Sequence, residues 1–198
     1  MKLFISIPVP FEKLPALNDA AKKLKAQALS KKMEVQWVRP ENWAINLVVL
    51  EVTEDQVPAV QNHIDEICKK WPPFKLEIRS FSAFPDLLHT RVVVCDIQNK
   101  RELATAQDQL RTAFESLGLD TGHKDERPFL TLARLRKARN FKDVFSPFAN
   151  KKFGKIKVTQ LILLSSEQVG PYPKYAQISQ HPFTGTEDDE PLTPNDSD

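Results

Sequence analysis

The segment Glu126-Arg127-Pro128-Phe129-Leu130-Thr131-Leu132-Ala133-Arg134 constrains the fold most, because it has an earlier counterpart. That counterpart is Arg39-Pro40-Glu41-Asn42-Trp43-Ala44-Ile45-Asn46-Leu47. Each predicts a turn around a proline followed by a strand that feeds a core. Alternate side chains of a strand point to the same face. Ala44 and Asn46 therefore share one face, as do Phe129 and Thr131. One such strand in each half of a 198-residue chain predicts two lobes with a cleft between them.

The rest of the chain supplies the elements around these strands. Leu3 to Ile7 reads as a strand. Glu12 to Leu29 reads as a helix, with Leu14, Leu17, Ala21 and Leu24 at helical spacing. Val35 to Val38 leads into the first signature strand, which runs on through Leu50. Thr53-Glu54-Asp55-Gln56 fits a capping box ahead of a helix striped by Val57, Val60, Ile64 and Ile67. Phe74 to Ser80 alternates as a strand and Phe81 to Pro85 reads as a loop. Arg91 to Ile97 is apolar enough for a buried strand. Lys100 to Leu117 is the clearest helix, stopped by Gly118. A short helix within Asn140 to Ala149 and a last apolar strand, Ile156 to Leu164, complete the set.

In order and spacing these pieces resemble the two-histidine phosphoesterases, most closely the bacterial 2'-5' RNA ligase / RNA 2',3'-cyclic phosphodiesterase branch. The resemblance runs from about Leu3 to about Phe183 and includes Phe84-Pro85, Ser165-Ser166, Gly170 and Tyr175. It implies an α+β, bilobal fold with two pseudo-symmetric lobes, each an antiparallel sheet with packed helices around a central cleft. In that family each signature strand carries His-x-Thr-x. The first position is a catalytic histidine and the third a hydroxyl that holds phosphate. Here the corresponding residues are Ala44 and Asn46 in the first strand, and Phe129 and Thr131 in the second.

Opening a 2',3'-cyclic phosphate with water needs one group to deprotonate the water and another to protonate the leaving oxygen. Histidine suits both, because its pKa lies near neutrality. Ala44 and Phe129 can neither give nor take a proton, so no catalytic residue is intact. Binding groups remain: the Thr131 hydroxyl, the Asn46 amide, and Arg134, which matches a phosphate-associated arginine ending the family's second motif. Arg134 serves equally well as a strand-end salt bridge. Phe129 is open to two roles, stacking on a base or, the favoured one, filling the hole and closing the cleft. Trp37 and Trp43 are expected in the core or lobe interface, and His63 and His181 on the surface. His89 and His123 are the candidates for substitute proton carriers.

Charge bears on the ligand. Thr184 to Asp198 holds six acids and no Lys or Arg, so the preceding body carries 28 basic against 20 acidic side chains, a net +8. A basic body favours a phosphate-rich ligand. The expected organisation is one bilobal domain over residues 1–183 and an acidic, disordered tail over 184–198. Leu3 to Ile7 is too short for a signal-peptide core, and no run approaches the ~20 apolar residues of a membrane span. Cys68 and Cys95 read as reduced core residues. A cytoplasmic monomer without cofactor, metal or membrane partner is expected. The leading expectation is a catalytically silent relative of RNA 2',3'-cyclic phosphodiesterases that binds RNA or a small nucleotide. The alternatives are an active phosphodiesterase using substitute residues, and a protein-interaction module contacting its partner through the acidic tail.

Overall fold

The computed structural model describes residues 1–98, 100–122, 128–169 and 172–186. All the strands among the described residues join one antiparallel sheet. β1 (Lys2–Pro8) and β2 (Gln36–Trp37) come first, then β3 (Ala44–Glu51), β4 (Phe74–Phe84) and β5 (Thr90–Ile97). β6 (Leu130–Arg139), β7 (Lys152–Val158), β8 (Gln160–Val169) and β9 (Tyr172–Pro182) follow. The order across the sheet is β7-β4-β5-β6-β3-β1-β8-β9, with β2 paired to β6.

The two signature strands, β3 and β6, are neighbours at the middle of this order, and a single rung, Ile45 opposite Leu130, joins them. Every other junction between the main strands is longer. The expected lobes are therefore two halves of one sheet, β7-β4-β5-β6 and β3-β1-β8-β9, that meet at a narrow waist.

Among the described residues, four α-helices cover the sheet. α1 (Pro15–Ser30) starts on a proline, whose fixed φ suits a first helical position, and buries Leu17, Ala20, Leu24 and Ala28 at three- and four-residue spacing. α2 (Val57–Cys68) follows a single 3-10 turn whose Thr53 and Gln56 form the capping box the sequence predicts. α3 (Lys100–Glu115) buries Leu103, Ala106, Leu110 and Phe114, and α4 (Lys142–Phe145) buries Val144 and Phe145. α1 packs on β7 and on α4; α2 packs on β8, β9 and α3; α3 packs on β3. Each buried Leu or Phe contributes about 1.5–3 kcal/mol of transfer free energy. Both cysteines are free and buried. Burial, with the Asp65 carboxylate nearby, pushes the Cys68 thiol up to about 12, so it stays protonated and inert.

The structure departs from the sequence reading in several places. Gln36–Trp37 does not run into β3: a 3-10 turn at Pro40–Asn42 intervenes, and the two residues pair instead with Arg134 and Ala133 of β6. Phe81 to Phe84 is strand, not loop, because each residue pairs with β5. The last apolar stretch is two strands. β7 ends at Val158 and β8 begins at Gln160, with Thr159 alone between them, so the chain passes there from one half of the sheet to the other. β9 is an additional strand on the outer edge.

His181 is 2% exposed, not a surface residue. Its Nδ1 lies 2.6 Å from Asp65 of α2 and its Nε2 2.8 Å from the Ser179 hydroxyl, tying β9 to that helix. The C-terminal segment stays docked past residue 183. The Thr184 and Gly185 amides donate to the carbonyls of Cys68 and Trp71. The remaining acidic stretch, 187–198, lies outside the described residues.

Candidate functional site

Each signature strand carries a β-bulge at the same place. Ser6 and Ile5 oppose Asn46 and Val48, which leaves Leu47 without a partner in β1. Val94 and Val93 oppose Thr131 and Ala133, which leaves Leu132 without a partner in β5. A bulge bends its strand and re-aims the side chains beyond it. The displaced carbonyls are recovered: Gln107 of α3 donates to Leu47 O at 2.8 Å, and the Val38 amide donates to Leu132 O at 2.8 Å. The bulge in β6 turns Arg134, three positions after Thr131, back to the Thr131 face.

That geometry builds a recess of about 230 Å³ beside the waist. Asn46 and Val49 of β3 line it together with Lys2 and Phe4 of β1; Phe129, Thr131 and Arg134 line it from the other half, and Gln107 and Arg111 from α3. The structure thus brings together four of the sequence-predicted site residues: Asn46, Phe129, Thr131 and Arg134. The buried Ser6 hydroxyl donates to Asn46 Oδ1 at 2.8 Å. With its carbonyl side so occupied, Asn46 presents its N–H₂ donors to the recess. The described lining includes three cations, Lys2, Arg111 and Arg134, and no carboxylate. Such a surface is suited to an anion.

Ala44 departs from the expectation. It shares a face with Asn46 but lines a neighbouring recess of about 510 Å³, with Pro8, Leu164, Tyr175 and Gln177. Phe4 of the smaller recess meets Tyr175 of the larger one edge to face, ring centroids 5.5 Å apart, so the two adjoin. Phe129 does not close the cleft: it is half-buried, lines an open recess, and rests against Phe84 with ring centroids 4.7 Å apart. Trp43 is buried in the core and Trp37 packs against it, as expected.

Of the two candidate proton carriers, only His89 falls among the described residues, and it does not line the recess. His89 is exposed, its Nδ1 3.2 Å from the Asp86 carboxylate, and it lines neither cavity. Asp86 is in turn held below the usual carboxylate range by the His89 backbone N–H and side chain. His123 lies outside the described residues. His63 is exposed, with its Nδ1 2.8 Å from the Ala59 carbonyl. Asp65, His181 and Ser179 form the one Asp–His–Ser chain among the described residues, yet they line neither recess. No cluster of metal-ligating side chains occurs among the described residues.

Sequence reasoning missed Lys2, Gln107, Arg111 and Thr121 as cavity residues. One signal was present. Leu103, Gln107, Leu110 and Phe114 fall on one helical stripe, so Gln107 interrupts an apolar face with a polar side chain that needs a partner.

The sequence matches the family described as the 2'-5' RNA ligase superfamily over residues 12–170. The chain belongs to this superfamily. An RNA 2',3'-cyclic phosphodiesterase of Archaeoglobus fulgidus is 26% identical over 180 residues, covering 90% of this chain and 98% of its own length. One of Methanothermobacter thermautotrophicus is 25% identical over 166 residues, covering 82% and 90%. Solved structures agree on the two-histidine phosphoesterase fold. A Thermus thermophilus protein superposes with a TM-score of 0.77 at 22% identity, covering 93% of this chain and 99% of that one. E. coli LigT, in a complex with 3'-AMP, superposes with a TM-score of 0.64 at 21% identity, covering 92% and 98%. No helix among the described residues is long and apolar enough to cross a membrane.

Proposed function

We propose that the protein is a catalytically silent member of the superfamily whose cleft holds a phosphate-bearing RNA end or nucleotide without hydrolysing it. One observation carries this reading. The cationic recess keeps Asn46, Thr131 and Arg134, yet has no histidine among its described lining residues. Ala44 and Phe129 stand where the resemblance puts the proton-transferring groups. Each general acid or base contributes about 10²–10⁴ in rate, so loss of both leaves an anion site without useful turnover. The curated relatives named as RNA 2',3'-cyclic phosphodiesterases, and the LigT complex with 3'-AMP, support the ligand class.

Phosphorus NMR of the protein with 2',3'-cyclic nucleotides tests this reading. Line broadening without conversion is expected. Time-dependent opening of the ring that is lost in Thr131→Ala would overturn it, and His89→Ala and His123→Ala would then show which group had replaced the histidines.

A further inference from the structure

We propose that Phe84 and Phe129 form a stacking platform for the nucleobase next to the phosphate held in the recess; this rests on the phosphate-binding reading above. The two rings lie 4.7 Å apart with their planes inclined by 32°, within the range of favourable aromatic pairs. Phe129 is the inner ring and lines the recess. Phe84, the last residue of β4, is the outer ring and remains 42% exposed. Phe84 thus presents an open aromatic face stacked on a ring of the recess wall.

The register fixes how this platform stands to the phosphate groups. Phe84 pairs with Val92, and Val92 pairs with Arg134. Residues directly opposite in a ladder share a face, so Phe84 and Arg134 lie on one face two strand spacings apart, about 10 Å. A separation of that order is spanned by a single nucleotide, with its phosphate at one end and its base at the other. Arg134 is exposed and already in the recess wall, and Arg136, two residues on, is exposed as well.

Cationic side chains beside an open aromatic face are the usual means of gripping single-stranded nucleic acid. Arg134 sits opposite Val92 in the ladder, and Thr131 opposite Val94, the next residue on that face. These flanking positions on β5 offer no polar group to read a base edge. Stacking on the two rings favours the larger ring system of a purine over a pyrimidine. Substituting Phe129 for a histidine therefore exchanges a proton carrier for the inner ring of a base-binding surface.

The test compares two short RNAs ending in a 2',3'-cyclic phosphate, one intact and one abasic at the terminal nucleotide, by fluorescence anisotropy. The wild type is expected to bind the intact RNA roughly ten- to a hundred-fold more tightly. Phe84→Ala should bring the two RNAs to within about two-fold of each other, Phe84→Tyr should keep the preference, and Arg134→Ala should weaken both RNAs alike. Equal binding of both RNAs by the wild type, or an equal loss of both in Phe84→Ala, overturns the platform and leaves the phosphate site standing. Binding of neither RNA overturns both readings. Phe84 is exposed, and a thermal melt matching the wild type confirms that the alanine variant is folded.

Discussion

Proton transfer needs a side chain that changes charge near the working pH, and neither a methyl nor a phenyl group does so. On the reading proposed above, the cleft differs from an active one at Ala44 and Phe129, which carry no proton, and at Asn46, an amide in place of a hydroxyl, while Thr131 and Arg134 already line it. Ala44→His combined with Phe129→His should raise hydrolysis of a 2',3'-cyclic nucleotide at least a hundred-fold over wild type. Either single change should give little, because an acid and a base that act as a unit are not additive. A double variant as inert as the wild type, with a normal melt, would argue that Ala44 and Phe129 are not the motif positions. Which of these residues reach the cleft was only partly readable in advance. Strict alternation puts Thr131 and Arg134 on opposite faces; the unpaired Leu132 brings them to one. A bulge leaves no mark in a run such as Leu-Ala-Arg, because it is imposed by the neighbouring strand.

Long, strongly periodic elements were the readable ones. The α3 stripe and its stop at Gly118, and the capping box ahead of α2, stand where the sequence put them. β9 escaped notice because it is an edge strand, paired only with β8, and its middle residues Gln177, Ser179 and Gln180 are polar and partly wet. Its attachment depends instead on specific contacts. His181 bridges Asp65 and Ser179; Phe183 meets Trp71 edge to face and Phe74 in a stack; Gly185 lies against the Lys70 backbone. His181→Ala removes a buried ring and its hydrogen bonds to the partly exposed Asp65 and Ser179. At roughly 0.5–1.5 kcal/mol per bond it should cost about 1–3 kcal/mol, lowering the melting temperature by roughly 2–12 °C for a chain of this size. Gly185→Ala acts more locally. A Cβ there would stand 2.6 Å from backbone atoms of Lys70, so the segment must lift. Hydrogen exchange should show faster exchange of the Thr184 and Gly185 amides with β1 and β3 unchanged. Unaltered protection of those two amides would mean that the docking tolerates the methyl group.

The signature strands announced two lobes, and the sheet divides as they imply, but the path of the chain between the halves follows contacts that no local pattern encodes. β1 lies between β3 and β8, so the half containing the N-terminus is completed by strands from the far end of the chain. A fragment of residues 1–158 keeps β1 to β7 but leaves one side of β1 unpaired and uncovers α2. It should show no cooperative urea transition by far-UV circular dichroism; a sharp transition resembling that of the full chain would contradict this account. The one-residue passage from Val158 to Gln160 also has a consequence for biosynthesis. β1 is synthesised long before β8, its second neighbour in the sheet, so a nascent chain carries β1 as an unpaired apolar edge until β8 has emerged. Such an edge invites pairing with other chains. Premature termination between α1 and β8 therefore yields a product prone to aggregate rather than a smaller working lobe.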